Sequence, residues 1–199
     1  MKDLLQGVRI LELGQIITAP FAGMMLADLG ADVLKIENPE GGDPFRAFRG
    51  GQYSAHFTAY NRNKRSMTLN LRHAEGQSIA IKLIEQMDVL LENFRPDVMG
   101  RLGLDWPTLS RINPRLIHAS ITGFGHDGPY ADRPAFDTVG MAISGMGSLF
   151  FDAADPQVRG PTIVDNVSGM YTAYGILGAL YERERTGRGR RVEVNMLEA

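Results

Sequence analysis

A strand, a helix and a second strand follow one another within the first 37 residues, and this order constrains the fold more than any other feature. Residues 8–13 (VRILEL) are an apolar run rich in strand formers. Pro20 opens a helical segment, FAGMMLADLG, whose apolar residues recur at helical spacing and which stops at Gly30. Residues 31–37 (ADVLKIE) are strand-like again. Two strands joined through a helix pair in parallel, so the segment is a βαβ unit. The same grammar continues. It predicts a helix over 74–86, a strand over 89–92, helical turns at 101–104 and 106–112 and a strand over 116–122. Helices over 137–146 and 168–184 and a last strand over 191–195 complete it. The fold class expected is α/β, a Rossmann-like open, mostly parallel sheet flanked by helices. Residues 38–66 are polar and rich in Gly, Pro and Arg, long enough to be a functional excursion, and MTLNL at 67–71 is strand-like.

Composition closes off several function classes. The 199 residues include no cysteine, which removes disulfides, thiolate metal sites and a thiol nucleophile together. Twenty-one basic against 23 acidic residues leave a formal charge of −2, no electrostatic footprint for nucleic acid. No run approaches the ~20 apolar residues of a membrane span, and the N-terminus lacks the pattern of a signal peptide. A cytoplasmic location is therefore expected, with no membrane partner. His56, His73, His118 and His126 show no metal-ligand spacing, so no metal is expected.

A βαβ start invites a dinucleotide, but the first turn, LGQIITAP, carries Gly14 alone, followed by bulky Ile16 and Ile17, so G-x-G-x-x-G is not met. The phosphate cradle is missing, although Glu37 closes the second strand in the position of a ribose-binding acid. A P-loop motif is absent as well. Two other segments can carry chemistry. Residues 61–66 (NRNKRS) gather three cations beside two carboxamides and a serine, a set that suits phosphates or equally a solvated loop. Asp165 follows the extended run PTIV and precedes a long apolar-periodic helix, where it reads as an N-cap. First-turn amides and the positive helix end would keep such a carboxylate ionised and could stabilise a neighbouring oxyanion. With lone pairs partly free it can also act as a nucleophile. On the residues alone, capping is the simpler reading and catalysis stays open.

Six segments, in order, resemble the class III coenzyme A transferases, whose relatives include formyl-CoA transferase, carnitine CoA-transferase and α-methylacyl-CoA racemase. They are APFAGMMLADLGADVLKIE at 19–37, GGDPFR at 41–46, NRNKRSMTLNL at 61–71, VLLENFRPDVMGRLGL at 89–104, ASITGFGHDGPYADRPAFD at 119–137 and GILGALYERERTGRGRRVEVNMLEA at 175–199. The resemblance implies a large Rossmann-like domain joined to a smaller one, in interlocked homodimers of longer chains. Residues 1–199 are accordingly expected to be the N-terminal part of the large domain, with the small domain and C-terminal return segment outside this chain. The ending VEVNMLEA, where a strand passes toward a helix, agrees with that expectation.

The resemblance also implies chemistry: an enzyme that moves coenzyme A between an acyl-CoA and a carboxylic acid through an aspartyl mixed anhydride and an aspartyl-CoA thioester. Coenzyme A and acyl-CoA are then substrates, and no tightly bound cofactor is expected. Asp165 matches the family nucleophile, and Gln15 stands where formyl-CoA transferase has an active-site histidine, able to orient the acyl group. The positions matching coenzyme A contacts are Asn38, Pro39, Lys64, Arg65, Leu69, Leu71, Arg72, Asn93, Phe94 and Arg101. Asn38-Pro39 departs from the arginine pair of formyl-CoA transferase. The racemases pair the aspartate with a histidine in a G-H-D motif, which here reads Ala135-Phe136-Asp137. Phenylalanine carries no proton, and His126 belongs to a different loop, so transfer is favoured over an α-methylacyl-CoA racemase. A truncated coenzyme A binder without turnover is the third reading.

Overall fold

The computed structural model describes residues 3–51, 53–152, 154–155, 157 and 160–199. Strands β1 (Arg9–Glu12), β2 (Asp32–Glu37), β3 (Arg65–Thr68), β4 (Val89–Glu92), β5 (Ile117–Thr122) and β6 (Arg191–Asn195) form one sheet in the order β3-β2-β1-β4-β5-β6. Every pairing in it is parallel, which bears out the α/β, Rossmann-like reading. The chain builds outward from β1 first in one direction and then, from β4, in the other. Connections leaving the carboxyl ends of β1 and β4 therefore part to opposite faces, and a crevice opens between them.

Helices cover both faces, so the central strands are buried on both sides and read as continuous apolar runs. Every residue of β4 and β5 is buried. Ile10, Leu91 and Ala119 pack with α1 (Thr18–Asp28) and α8 (Ile163–Thr186) on one face. Leu11, Leu90 and Leu116 pack on the other with α3 (Ala74–Ile84), α4 (Pro96–Arg101) and α5 (Trp106–Ile112). Each such Leu or Ile contributes roughly 2–3 kcal/mol by leaving water. Short helices α2 (Ala55–Asn61), α6 (Asp137–Ile143) and α7 (Gly147–Phe150) lie in the long connections.

The contact of α1 with α8 positions the site. A Cβ on Gly169 would lie 2.7 Å from the carbonyl oxygen of Thr18, so only glycine lets the two helices approach this closely. Ser168 and Thr172 are buried there too, and their hydroxyls donate to the carbonyls of Val164 (2.7 Å) and Ser168 (2.8 Å). The start of α8 is thereby pressed against the turn after β1.

Several boundaries differ from those expected. The last helix starts at Ile163, five residues before 168, and its cap is Thr162. Asp165 thus lies inside the first turn and is not the N-cap. The β-branched pair Ile163-Val164 reads as extended, but Val164 is buried so tightly on α6 that a Cβ at Gly140 would lie 2.8 Å from it, and packing overrides local preference. Strand β3 occupies 65–68 and not 67–71, because Leu69 turns into the core and the Asn70 side chain accepts from the Arg72 amide (3.0 Å) in a turn. The turn expected at 101–104 is the end of α4, and the polar excursion contains α2 and the start of β3.

Candidate active site

Between β1 and α1 the chain makes a strained turn. Ile16 has φ +68°, a conformation that costs a β-branched residue about 1–3 kcal/mol. Two side chains, those of Asp43 and Asn93, over-determine it. The Asp43 carboxylate accepts from the Ile16 amide (3.2 and 3.3 Å), Asn93 Oδ1 accepts from the Gln15 amide (2.9 Å), and Asn93 Nδ2 donates back to the Gln15 carbonyl (2.8 Å). Asn93 Nδ2 also donates to Thr18 Oγ1 (2.8 Å), so this carboxamide is the clasp of the turn.

Under the turn lies a cluster of four buried charges. Lys35 Nζ contacts Glu12 (3.0 Å) and Asp43 (2.9 Å) and donates to the Gly14 carbonyl (2.7 Å). Lys64 Nζ contacts Glu12 (2.8 Å) and donates to the Pro20 carbonyl (2.7 Å). Burial opposes the charge on Lys35, but Glu12 and Asp43 outweigh it and hold its pKa above the ordinary value. Burial prevails at Lys64, with Lys35 nearby, and brings it down to about 8. Next to this cluster, Glu37 binds Arg46 through two 2.6 Å contacts and accepts from Ser66 (2.5 Å) and the Asp43 amide (3.0 Å). Burial alone would raise the Glu37 carboxyl, yet these donors hold it at about 2. The acid in the ribose position is committed to the chain itself.

Asp165 lines a cleft of about 400 Å³ at the crevice between the ends of β1 and β4, together with Gln15, Ile17, Asn93, Arg133 and Phe136. It is 8% exposed. Its amide donates to Asp137 Oδ1 (3.1 Å), while its carboxylate accepts no hydrogen bond from any described residue. The expectation that first-turn amides would keep it ionised is therefore corrected. Burial, and then the neighbouring Asp137, raise its pKa to about 7. Near neutrality the group is divided between acid and carboxylate, and the carboxylate form is poorly solvated, which favours nucleophilic attack. Asp137, itself 8% exposed, was not among the expected site residues. Its place at the start of a predicted helix marks it only as an ordinary first-turn acid.

Gln15 and Phe94 also line a second hollow of about 230 Å³, with Asn38, Leu69, Leu71 and Arg72. Five of the expected coenzyme A contacts are thus brought together beside the Asp165 cleft. Others lie apart from that hollow. Lys64 points into the buried cluster, Arg65 binds Asp32 (2.6 and 2.9 Å), Arg101 binds Asp97 (3.0 Å), and Pro39 is exposed beyond Asn38. His126 accepts from Arg191 (2.8 Å) beside Ser120, in a hollow that Asp165 does not line. Among the described residues no group of acids and histidines could hold a metal ion, and no helix is long and apolar enough to cross a membrane.

A family model for CoA-transferase family III matches residues 5–199. The chain belongs to CoA-transferase family III. Among the relatives of this family III chain, the succinyl-CoA–L-malate CoA-transferase beta subunit of Chloroflexus aurantiacus is 43% identical over 202 residues, covering 98% of this chain and 49% of that protein. The acetyl-CoA:oxalate CoA-transferase of Acetobacter aceti is 42% identical over 196 residues, covering 96% and 50%. A crystal structure of a CAIB/BAIF family protein from Brucella suis superposes with a TM-score of 0.93 at 38% identity, covering 100% of this chain and 54% of that one. The family III chain spans about half the length of the curated relatives it matches.

Proposed function

We propose that this chain supplies the nucleophile and the nucleotide groove of a transferase that moves coenzyme A between an acyl-CoA and a carboxylic acid. The observation that carries the reading is the Asp165 carboxyl, buried, accepting no hydrogen bond from any described residue and lining a cleft that meets a second groove at Gln15 and Phe94. The activities for which the relatives are named support it. Phe136, at the position of the racemases' histidine, supports transfer over racemisation, since it offers no second base.

In this reading the nucleotide end of coenzyme A lies along Asn38, Leu69, Leu71 and Arg72, and the thioester passes Gln15 to reach Asp165. The Asp165 carboxylate attacks the thioester carbonyl carbon. The C–S bond breaks, the thiolate leaves with the electron pair, and a mixed anhydride remains. The thiolate then attacks the aspartyl carbonyl and expels the donor carboxylate, leaving an aspartyl-CoA thioester. The acceptor carboxylate attacks that thioester, releasing thiolate and forming a second anhydride. Attack of the thiolate on the acceptor's carbonyl yields the new acyl-CoA and restores Asp165. No net proton or redox change occurs, because each leaving group is a stable anion. The strained turn holds Gln15 still, and its side-chain amide orients the acyl group.

The test is chemical trapping in the full-length polypeptide. Incubation with a panel of acyl-CoAs and quenching with hydroxylamine should leave an aspartyl hydroxamate at Asp165, read by peptide mass spectrometry and missing from Asp165→Ala. Coenzyme A binding without any hydroxamate across the panel would reject covalent transfer.

A further inference from the structure

One buried acid has no part in the chemistry above. The face of the sheet that α4 and α5 cover is built from Leu11, Leu90 and Leu116. Side chains two residues apart share a face, so Glu92 on β4 and His118 on β5 continue that apolar surface. Both are buried, and His118 Nε2 lies 3.2 Å from Glu92 Oε1. The Trp106 ring stacks on the imidazole, 6.3 Å between centroids, and His118 Nδ1 is buried with no hydrogen-bond partner among the described residues. A buried pair of this kind is commonly no more stable than well-packed hydrocarbon, so stability does not account for it. What Glu92 reaches is the turn that follows β4. Its Oε2 accepts from the Phe94 amide (2.8 Å). Between the two stands Asn93, whose carboxamide clasps Gln15 and Thr18. Phe94 lines the Asp165 cleft, the groove with Asn38 and Arg72, and the hollow that Glu92 and His118 share; among the described residues it alone lines all three.

We propose that Glu92, held from behind by His118, is a positioning residue for transfer, which sets the Asn93–Phe94 turn between the coenzyme A groove and the Asp165 cleft. This rests on the transfer reading above. Glu92 touches neither the groove nor the cleft and acts through its neighbours. A fixed Phe94 amide fixes where the Phe94 ring stands as the wall between groove and cleft. The same turn aims the Asn93 carboxamide at the strained Gln15-Ile16 segment, past which the thioester has to travel. What the task demands of Glu92 is an acceptor at one place, and its charge is incidental. Position and charge can be separated by substitution, because glutamine keeps the reach of the side chain without the charge, and aspartate keeps the charge one methylene short of the amide.

The test uses the full-length polypeptide as wild type, Glu92→Gln and Glu92→Asp. It reads the single-turnover rate of Asp165 acylation by the hydroxylamine trap at saturating acyl-CoA, and the coenzyme A Kd by calorimetry. Glu92→Asp should slow acylation by about 10- to 100-fold, the range for a reacting group misplaced by about 1 Å, and raise the coenzyme A Kd several-fold. Glu92→Gln should hold acylation within about threefold of wild type, the smaller loss expected when a charged acceptor becomes a neutral one. A residue that served only the fold would leave both readings at wild-type values in every variant that folds, and that result would overturn the proposal. So would equal losses in the two variants, or the reverse order, which would make the charge the active feature. If wild type binds coenzyme A but forms no hydroxamate, the transfer reading fails by itself. The coenzyme A Kd then decides Glu92 separately: a Kd raised more by Glu92→Asp than by Glu92→Gln supports the positioning role, and equal values, or no binding by wild type, refute it.

Discussion

Replacing Asp165 with asparagine keeps the volume of the side chain and removes its charge, so it isolates what the buried carboxyl costs the fold. In the unfolded chain this group ionises near 3.8, and in the fold it keeps its proton up to about 7. Between those values the folded state holds a proton that the unfolded state has lost, so stability falls as pH rises through that window and levels off above it. Three pKa units at 1.36 kcal/mol each give a cost of roughly 4 kcal/mol above pH ~7, a sizeable share of the 5–15 kcal/mol typical of a domain. Asp165→Asn should therefore match wild type near pH ~4 and exceed it by about 3–4 kcal/mol near pH ~8, while losing transfer at every pH. Urea unfolding at a series of pH values reads the difference directly. Parallel stability curves for the two proteins would refute the claim that Asp165 is buried without compensation. Wild-type transfer should rise through an apparent pKa of about 7 as the carboxylate forms.

Other perturbations separate packing from binding. Lys64→Met leaves Lys35 as the one cation against Glu12 and Asp43 in the buried cluster and should cost about 3–5 kcal/mol in unfolding free energy; unchanged stability with a weaker coenzyme A Kd would instead make Lys64 a surface phosphate contact. Glu37, held at about 2 by Arg46 and Ser66, contributes roughly 3 kcal/mol that is present above pH ~4.5 and lost as pH falls toward ~2. Glu37→Gln should lose that contribution at neutral pH and flatten the acid limb of the unfolding curve. Arg72→Met should weaken coenzyme A binding about tenfold and reduce its salt dependence, measured by calorimetry at low and high ionic strength.

The sheet was legible because its strands are short apolar runs separated by helices with clear spacing, a pattern that needs no knowledge of distant contacts. What stayed hidden depends on which residues meet. Ile163 and Val164 favour extended backbone locally, and their place in α8 follows from packing on α6. Asp137 and Asp165 stand 28 residues apart, and the hydrogen bond between them belongs to the tertiary fold. Lys64 sits in a run that reads as a solvated basic loop, yet Glu12, 52 residues away, draws it into the core. Arg133 reads as one surface cation among many, since its place in the cleft with Asp165 emerges only from the tertiary fold. The resemblance to a family singled out Asp165 as the expected nucleophile, while its perturbed ionisation follows from burial that spacing does not reveal.

The cluster of Lys35, Lys64, Glu12 and Asp43 also bears on ancestry. In sheets of this topology the first strand–helix turn is where a pyrophosphate rests on the helix end. Here the underside of that turn is filled with the chain's own cations and anions. Loss of any one member leaves a buried charge unmatched, at several kcal/mol, against a total stability of the same order. A single substitution at Glu12, Lys35, Asp43 or Lys64 on the way to a phosphate-binding turn therefore carries that cost in stability. The strand order beneath them is nonetheless the one described for dinucleotide-binding sheets.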